Sequence, residues 1–354
     1  MFKRGFVSVR LCLRKHKCCL GMHGRVLHDR TAMSNCSHTV FDCLEPNRYD
    51  LKHERFADYR RRDGRAVKKT RKAELAGKIQ SVFRCPLCGG GMKVQDLKSL
   101  VCTRNHTFDF ARQGYVNFLS HPPADKYSKE LFEARHSLIA ESRMFQPMHE
   151  LIAKTIRERV TVDAEPFMIA DLGCGEGSHL HHILKWCNIS GQTGVGLDIA
   201  KEGILLASRN YEEPIWLVGD LAKLPLADRS FQAIFNLFSP ANYSEFNRIL
   251  AQGGTVIKAV PRENYLRELR EAVYGGEKAY KNEETVSLFA AHFRLDDVLH
   301  VRYTRQLDRK ELQLLARMTP LTWSADPERI QRFTDQESAE ITVDLDLLIG
   351  SRAE

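Results

Sequence analysis

The stretch FMIADLGCGEGS, residues 167–178, decides how this chain is read. Apolar residues from 167 to 172, broken by Asp171, form a buried strand. Gly173, Gly175 and Gly177 then make a turn in which backbone can approach a ligand closely, and residues 177–187 take up a helical period. Outward from this unit the alternation repeats. Strands are expected at 193–198, 215–218, 231–237 and 254–260, and helices at 201–210 and 242–250. Apolar strands alternating with helices imply an α/β fold with a parallel, doubly wound sheet. Beyond 260, helices are expected at 262–274, 283–293 and 308–318. Strands at 295–304 and 339–348 are expected to add a hairpin to the sheet edge.

The glycine spacing narrows the ligand. Dinucleotide turns run G-x-G-x-x-G, whereas here the third glycine comes one residue early and Asp171 stands just before the turn. This compressed form resembles the S-adenosylmethionine turn of class I methyltransferases, whose ligand carries a cationic sulfonium and amino group. Two further acids follow. Asp198 ends the second strand, 27 residues after Asp171, where it would accept from both ribose hydroxyls. Asp220 follows the third strand and would take the adenine amino group, with Leu221 packed on the base. Glu176 and Ser178 of the turn itself complete the expected contacts. A single Asp more often caps a loop; three in order after three strands argue for a cofactor site. The fourth strand ends in NLFSPANY (Asn236, Ser239, Pro240, Asn242), only loosely similar to the N-P-P-Y turn of amino-methylating enzymes, so no catalytic residue is assigned.

Upstream, FRCPLCGGGMKVQDLKSLVCTRNHTFDF spaces Cys85, Cys88, Cys102 and His106 as C-x2-C-x13-C-x3-H. Paired cysteines around a turn, followed by a second pair after a strand-length excursion, fit a closed structural zinc site of three thiolates and one imidazole. Arg84, Lys93, Lys98, Arg104 and Arg112 interleave here with Phe108, Phe110, Tyr115 and Phe118. That mixture suits RNA, whose bases stack and whose phosphates need cations. It suits equally a small aromatic core beneath a charged surface.

The net charge of +8 is uneven: residues 1–72 hold 19 Lys/Arg against 7 Asp/Glu, and the rest hold 34 against 38. No apolar run approaches the ~20 residues of a membrane span. The opening MFKRGFVSVRLCLRKHKC lacks a secretory pattern, so a cytoplasmic protein without disulfides is expected. Residues 1–64 show no sustained period and read as a disordered basic tail, a targeting peptide or an over-called start, the last preferred; Cys18, Cys19, His23 and His28 there read as surface thiols and side chains of a tail. The expected divisions are this extension, a basic linker or helix (65–82), a zinc-binding domain (83–120), a helical connector (121–160) and the methyltransferase domain (161–354).

With both units in view, the chain resembles the 23S rRNA (guanine-N1)-methyltransferases of the RlmA type, on FRCPLCGGGMKV, CTRNHTFDFARQGYVNFL, ADLGCGEGSHL, GLDIAK and MTPLTW (318–323). DKYSKELFEARHSLI and LFSPANYSEFNRIL resemble the Gram-positive branch. The resemblance implies a zinc-binding domain preceding a class I S-adenosylmethionine-dependent methyltransferase, 23S rRNA as partner, methylation of guanine N1 in a domain II hairpin, and a link to macrolide resistance. It also implies cofactor contacts from Phe145 and Tyr265, and leaves a homodimer open. Two other readings compete: a methyltransferase for a small metabolite, and an inactive module that binds S-adenosylmethionine or RNA. Intact Gly173, Gly175 and Asp198 speak against the inactive module.

Overall fold

The computed structural model describes residues 68–121, 127–159, 166–275 and 282–352. The extension 1–64, with its cysteine and histidine cluster, lies outside the described residues. Helix α1 covers 68–78. A three-stranded antiparallel ribbon follows: β1 (Met92–Gln95), β2 (Ser99–Cys102) and β3 (Thr107–Asp109). Next come β4 (Val116–Asn117), α2 (Lys129–Glu141) and α3 (Gln146–Arg159). The central alternation is β5 (Phe167–Leu172), α4 (Ser178–Cys187), β6 (Gln192–Asp198), α5 (Lys201–Asn210), β7 (Ile215–Val218), β8 (Phe231–Leu237), α6 (Tyr243–Ile249) and β9 (Leu250–Pro261). The chain then runs α7 (Arg267–Tyr274), α8 (Glu283–Ala290), β10 (Phe293–Asp308), α9 (Arg309–Met318), α10 (Pro327–Thr334) and β11 (Ser338–Arg352).

Eight strands form one sheet in the order β10-β11-β9-β8-β5-β6-β7-β4. The pairs from β9 to β4 are parallel, and β11 and β10 join the β9 edge antiparallel. From β5 the chain winds outward through β6 and β7, then returns to β8 and winds the other way. That reversal opens a crevice at the carboxyl ends of β5 and β8, where ligands of such sheets bind. The late hairpin is longer than its sequence signal, with Asp308 ending β10 and capping α9 through a capping box. The helix expected at 262–274 forms only from Arg267, because Leu266 takes a left-handed conformation at its N-cap.

Strand β5 shows how the sheet is buried. Its residues alternate, with Phe167 and Ile169 in the apolar cluster beneath α3 and α4, and Met168, Ala170 and Leu172 in the cluster on the opposite face. The second cluster also contains Ala73 and Ala76 of α1 and Phe83, Met92, Leu100, Phe110 and Phe118 of the ribbon. Strand β4 pairs with β7, so the ribbon segment contributes an edge strand to the main sheet. Lys72 of α1 is 2% exposed and donates from Nζ to the carbonyls of Pro214 (2.5 Å) and Glu212. Helices α2 and α3, expected as a connector, pack on α9, α4 and β9. The expected α2 core of Leu131, Phe132, Ala134, Leu138 and Ile139 is the buried set. No helix among the described residues is long and apolar enough to cross a membrane.

Candidate functional site

A cavity of about 980 Å³ opens at the crevice. Of the residues expected at a cofactor, Phe145, Gly173, Gly175, Asp198, Asp220, Leu221 and Tyr265 line it; Asp171, Glu176, Gly177 and Ser178 do not.

The turn is stitched to the end of β6. Gly173 and Cys174 N–H groups donate to the Leu197 carbonyl at 2.8 and 3.1 Å, and Gly175 N–H donates to Asp198 Oδ2 at 2.7 Å. Gly173 has φ +85°, and a Cβ there would stand 2.1 Å from Ser239 Oγ, so only glycine lets the NLFSP loop close over the turn. Gly177, at φ +84°, serves packing: a Cβ would meet the Trp216 ring at 2.4 Å. Asp198 also accepts from Ala200 N–H at 2.8 Å, so each carboxylate oxygen takes one amide while the side chain faces the cavity. Asp220 caps its own loop through Ala222 N–H (2.8 Å) and stays exposed to the cavity.

Glu176 and Ser178 point into the protein. Ser178 Oγ and N–H both donate to Glu176 Oε2, at 2.5 and 3.1 Å, and Ser178 Oγ lies 2.8 Å from Tyr211 Oη. They brace the turn from behind, where the expectation was contact with the cofactor. Asp171 is 1% exposed, and its Oδ2 has no hydrogen-bond partner among the described residues. Burial, reinforced by the Asp198 and Glu176 charges, raises its pKa well above the carboxylate range, while Arg135 opposes the shift.

Several lining residues carried no sequence signal. Arg135 of α2 lies over the turn, its guanidinium nitrogen 3.5 Å from where a Gly175 Cβ would stand. His179, in the first turn of α4, shares a 2.7 Å hydrogen bond with His149 and presents an unpartnered Nε2. Burial lowers His179 well below the usual imidazole range and His149 to about 3, so both rings are neutral. Lys258 of β9, 7% exposed, donates from Nζ to Asn236 Oδ1 and to the Ser239 carbonyl (2.5 Å), holding the NLFSP loop. Burial brings its pKa down to about 8. Phe145, Phe238 and Tyr265 form an aromatic wall, with ring centroids 5.6 and 5.5 Å apart.

The residues fit an S-adenosylmethionine site. Asp198 and Asp220, at the cavity after β6 and β7, suit a cationic ligand, the glycine turn keeps side chains out, and the exposed Ile199 and half-buried Leu221 offer apolar flanks to a purine. A dinucleotide pyrophosphate would instead meet these two carboxylates.

The second site is built on the ribbon. The ligand atoms of Cys85, Cys88, Cys102 and His106 all lie within 4.8 Å of one another. Cys88 and Cys102 Sγ are 3.6 Å apart, and His106 Nδ1 lies 3.5 and 3.3 Å from Cys85 and Cys102 Sγ. Such spacings match the edges of a zinc tetrahedron with bonds of about 2.0–2.3 Å. The N–H groups of Arg104 and His106 donate to Cys102 Sγ at 3.4 and 3.3 Å, as a metal-bound thiolate requires. Zn2+ is the structural metal of this four-residue set. The neighbouring aromatics resolve toward packing: Phe110, Tyr115 and Phe118 are buried, and Phe108 packs on Phe118 at 4.8 Å. The three buried rings are not free to stack on bases. Lys93, Lys98, Arg104 and Arg112 are exposed, while Arg84 is paired with Asp228 at 2.6 Å.

Residues 83–129 match the family model described as RlmA, N-terminal, and residues 169–258 match that described as Methyltransferase domain. YxjB of Bacillus subtilis, whose name places it among 23S rRNA (guanine-N1)-methyltransferases, is 44% identical over 277 residues, spanning 77% of this chain and 98% of its own. The 23S rRNA (guanine(748)-N1)-methyltransferase of Streptomyces fradiae is 32% identical over 252 residues, 71% of this chain and 89% of its own.

Proposed function

The chain belongs to the 23S rRNA (guanine-N1)-methyltransferase family, and from that premise we propose how its cavity serves the reaction. The enzyme transfers a methyl group from S-adenosylmethionine to N1 of a guanine in 23S rRNA. When bound, the cofactor would supply a sulfonium-bound methyl group for guanine N1, and the N1 proton would be released to solvent. The protein's share is alignment and exclusion of water. Asp198, at the cavity beyond β6, would hold the ribose hydroxyls. Asp220 would take the adenine amino group, with the base between Leu221 and Ile199. Asp171 would act from behind the turn, its unpartnered oxygen available for a hydrogen bond. Arg135 would face the cofactor carboxylate. Lys258 keeps the Asn236–Ser239 loop closed against Gly173, so the guanine would enter between that loop and Met318–Leu321.

The observation that carries this reading is a cofactor-type cavity in one folded body with a Cys3His ribbon segment that exposes Lys93, Lys98, Arg104 and Arg112. A base must leave its stack to reach such a cavity, and cations on the ribbon would hold the phosphates around it. Work on ribosomal RNA would place the protein in the cytoplasm. Tritiated methyl transfer to unmodified domain II hairpin fragments, followed by mapping of the modified position, tests the proposal. Label on N1 of a guanine is expected; label confined to small metabolites would overturn it.

A further inference from the structure

The motif MTPLTW (318–323) ends at the cavity mouth in an exposed aromatic. Met318, Thr319, Pro320 and Leu321 line the cavity, and Trp323 is 51% exposed. Its ring centroid lies 5.7 Å from that of Tyr127, which is 41% exposed and also lines the cavity. Tyr127 in turn stands 6.2 Å from Phe132, 3% exposed, inside the same cavity. An aromatic run therefore leads from the cavity wall to the surface.

Lone exposed apolar residues are ordinary, but this one sits on a turn fixed with unusual care. Thr319 Oγ1 accepts from Leu321 N–H at 3.3 Å, and Thr322 Oγ1 donates to the Ala316 carbonyl at 2.8 Å. Tyr274 Oη donates to the Leu321 carbonyl at 2.5 Å, and Trp323 N–H donates to the Pro320 carbonyl at 3.2 Å. Ordering such a turn costs conformational entropy, yet half of its largest side chain stays in water in the free protein. An aromatic side chain on a fixed turn at a cavity mouth is pre-organised for a flat ligand.

We propose that Trp323 and Tyr127 form a stacking platform for an unpaired base adjoining the guanine that enters the cavity. The two rings are tilted by 57°, so they make an apolar corner: a base stacked on one ring meets the edge of the other. Continuity with the cavity selects the occupant. A guanine drawn out of its stack leaves a neighbour with one bare face, within a nucleotide of the mouth. Arg317, exposed just before the turn, adds a cation for the intervening phosphate. The ribbon aromatics, for which the sequence left stacking and packing equally open, offer no such platform at Phe110, Tyr115 and Phe118, which are buried.

The proposal rests on the RNA reading, and the test separates the two. In a Trp186→Phe background, Trp323 is the exposed tryptophan of the described residues, since Trp216 is fully buried. Titration with an unmodified 23S rRNA hairpin should quench its fluorescence. Trp323→Ala should weaken hairpin binding about tenfold, the size expected for one lost stacked base. Trp323→Phe should recover most of that loss, and S-adenosylmethionine affinity by calorimetry should stay unchanged in both. Hairpin affinity unchanged in Trp323→Ala would overturn the platform while leaving the RNA reading intact. Loss of S-adenosylmethionine affinity in its place would assign the rings to the cofactor and overturn it too. Failure of the parent protein to bind the hairpin would sink both.

Discussion

Asp198 has two roles in the structure. It ties Gly175 and Ala200 to the end of β6 through their N–H groups, and it faces the cavity. Asp198→Ala should therefore weaken S-adenosylmethionine binding by ~2–4 kcal/mol, through lost charge-assisted hydrogen bonds and a slackened turn. Calorimetry showing wild-type affinity would remove it from the ribose. The His149–His179 pair makes a pH prediction. His149 titrates near 6.5 when unfolded and at about 3 when folded, because burial opposes its charge. The unfolded chain thus binds the proton first, so this contribution is present above pH 6.5 and is lost as pH falls toward 3. Between pH 7 and pH 5 the wild type should lose about 2 kcal/mol more stability than His149→Gln, which keeps a hydrogen-bonding amide but does not titrate. Urea unfolding at the two pH values checks this; parallel losses would mean the ring is not held neutral. Neither this pair nor Arg135 and Lys258 was legible in the sequence. No local spacing marks a histidine on α3 as the partner of one on α4.

The β5–turn–α4 unit was legible because its signals are local: an apolar run, three glycines and a helical period. What the turn glycines do is less local. Gly177 was expected at the cofactor, but the space it leaves is filled by Trp216 and Ala207, whose atoms would lie 2.4 and 2.9 Å from a Cβ. Gly177→Ala should cost ~2–4 kcal/mol, combining a left-handed backbone with overpacking against an aromatic ring. Denaturant unfolding should show that loss even without cofactor; a change below ~1 kcal/mol would mean that the strand and helix can separate freely. The ribbon teaches the opposite lesson. Its ligands were readable from spacing, whereas the fate of its aromatics was not. Phe110, Tyr115 and Phe118 face inward only because the ribbon lies on the sheet, so the choice between RNA surface and core belonged to packing.

The ribbon and the sheet share one apolar core. Phe83 bridges to Leu226, β4 pairs with β7, and the cluster that holds Leu100 and Phe110 also holds Leu217 and Leu226. The zinc site therefore supports more than its own loop. Cys102→Ser should lose the metal and also lower the urea midpoint reported by Trp216, which lies fully buried behind the cofactor turn in the main sheet. Zinc retained in that variant would refute the ligand set, and an unchanged Trp216 transition would mean that the ribbon folds as a separate body. This coupling defines the border between what was written locally and what was not. The sequence by itself determined the α/β alternation, the glycine turn, the order of Asp171, Asp198 and Asp220, and the four metal ligands, because each depends on spacings within one or two elements. The tertiary structure alone decided that Glu176 and Ser178 turn inward, that α1 and α3 pack on the sheet and α2 on α9, and that Arg135, His179, Lys258 and Trp323 reach one cavity or its mouth. Those residues come from elements far apart in the chain, and only the winding of β8 back beside β5 and the packing of α2 on α9 bring them together.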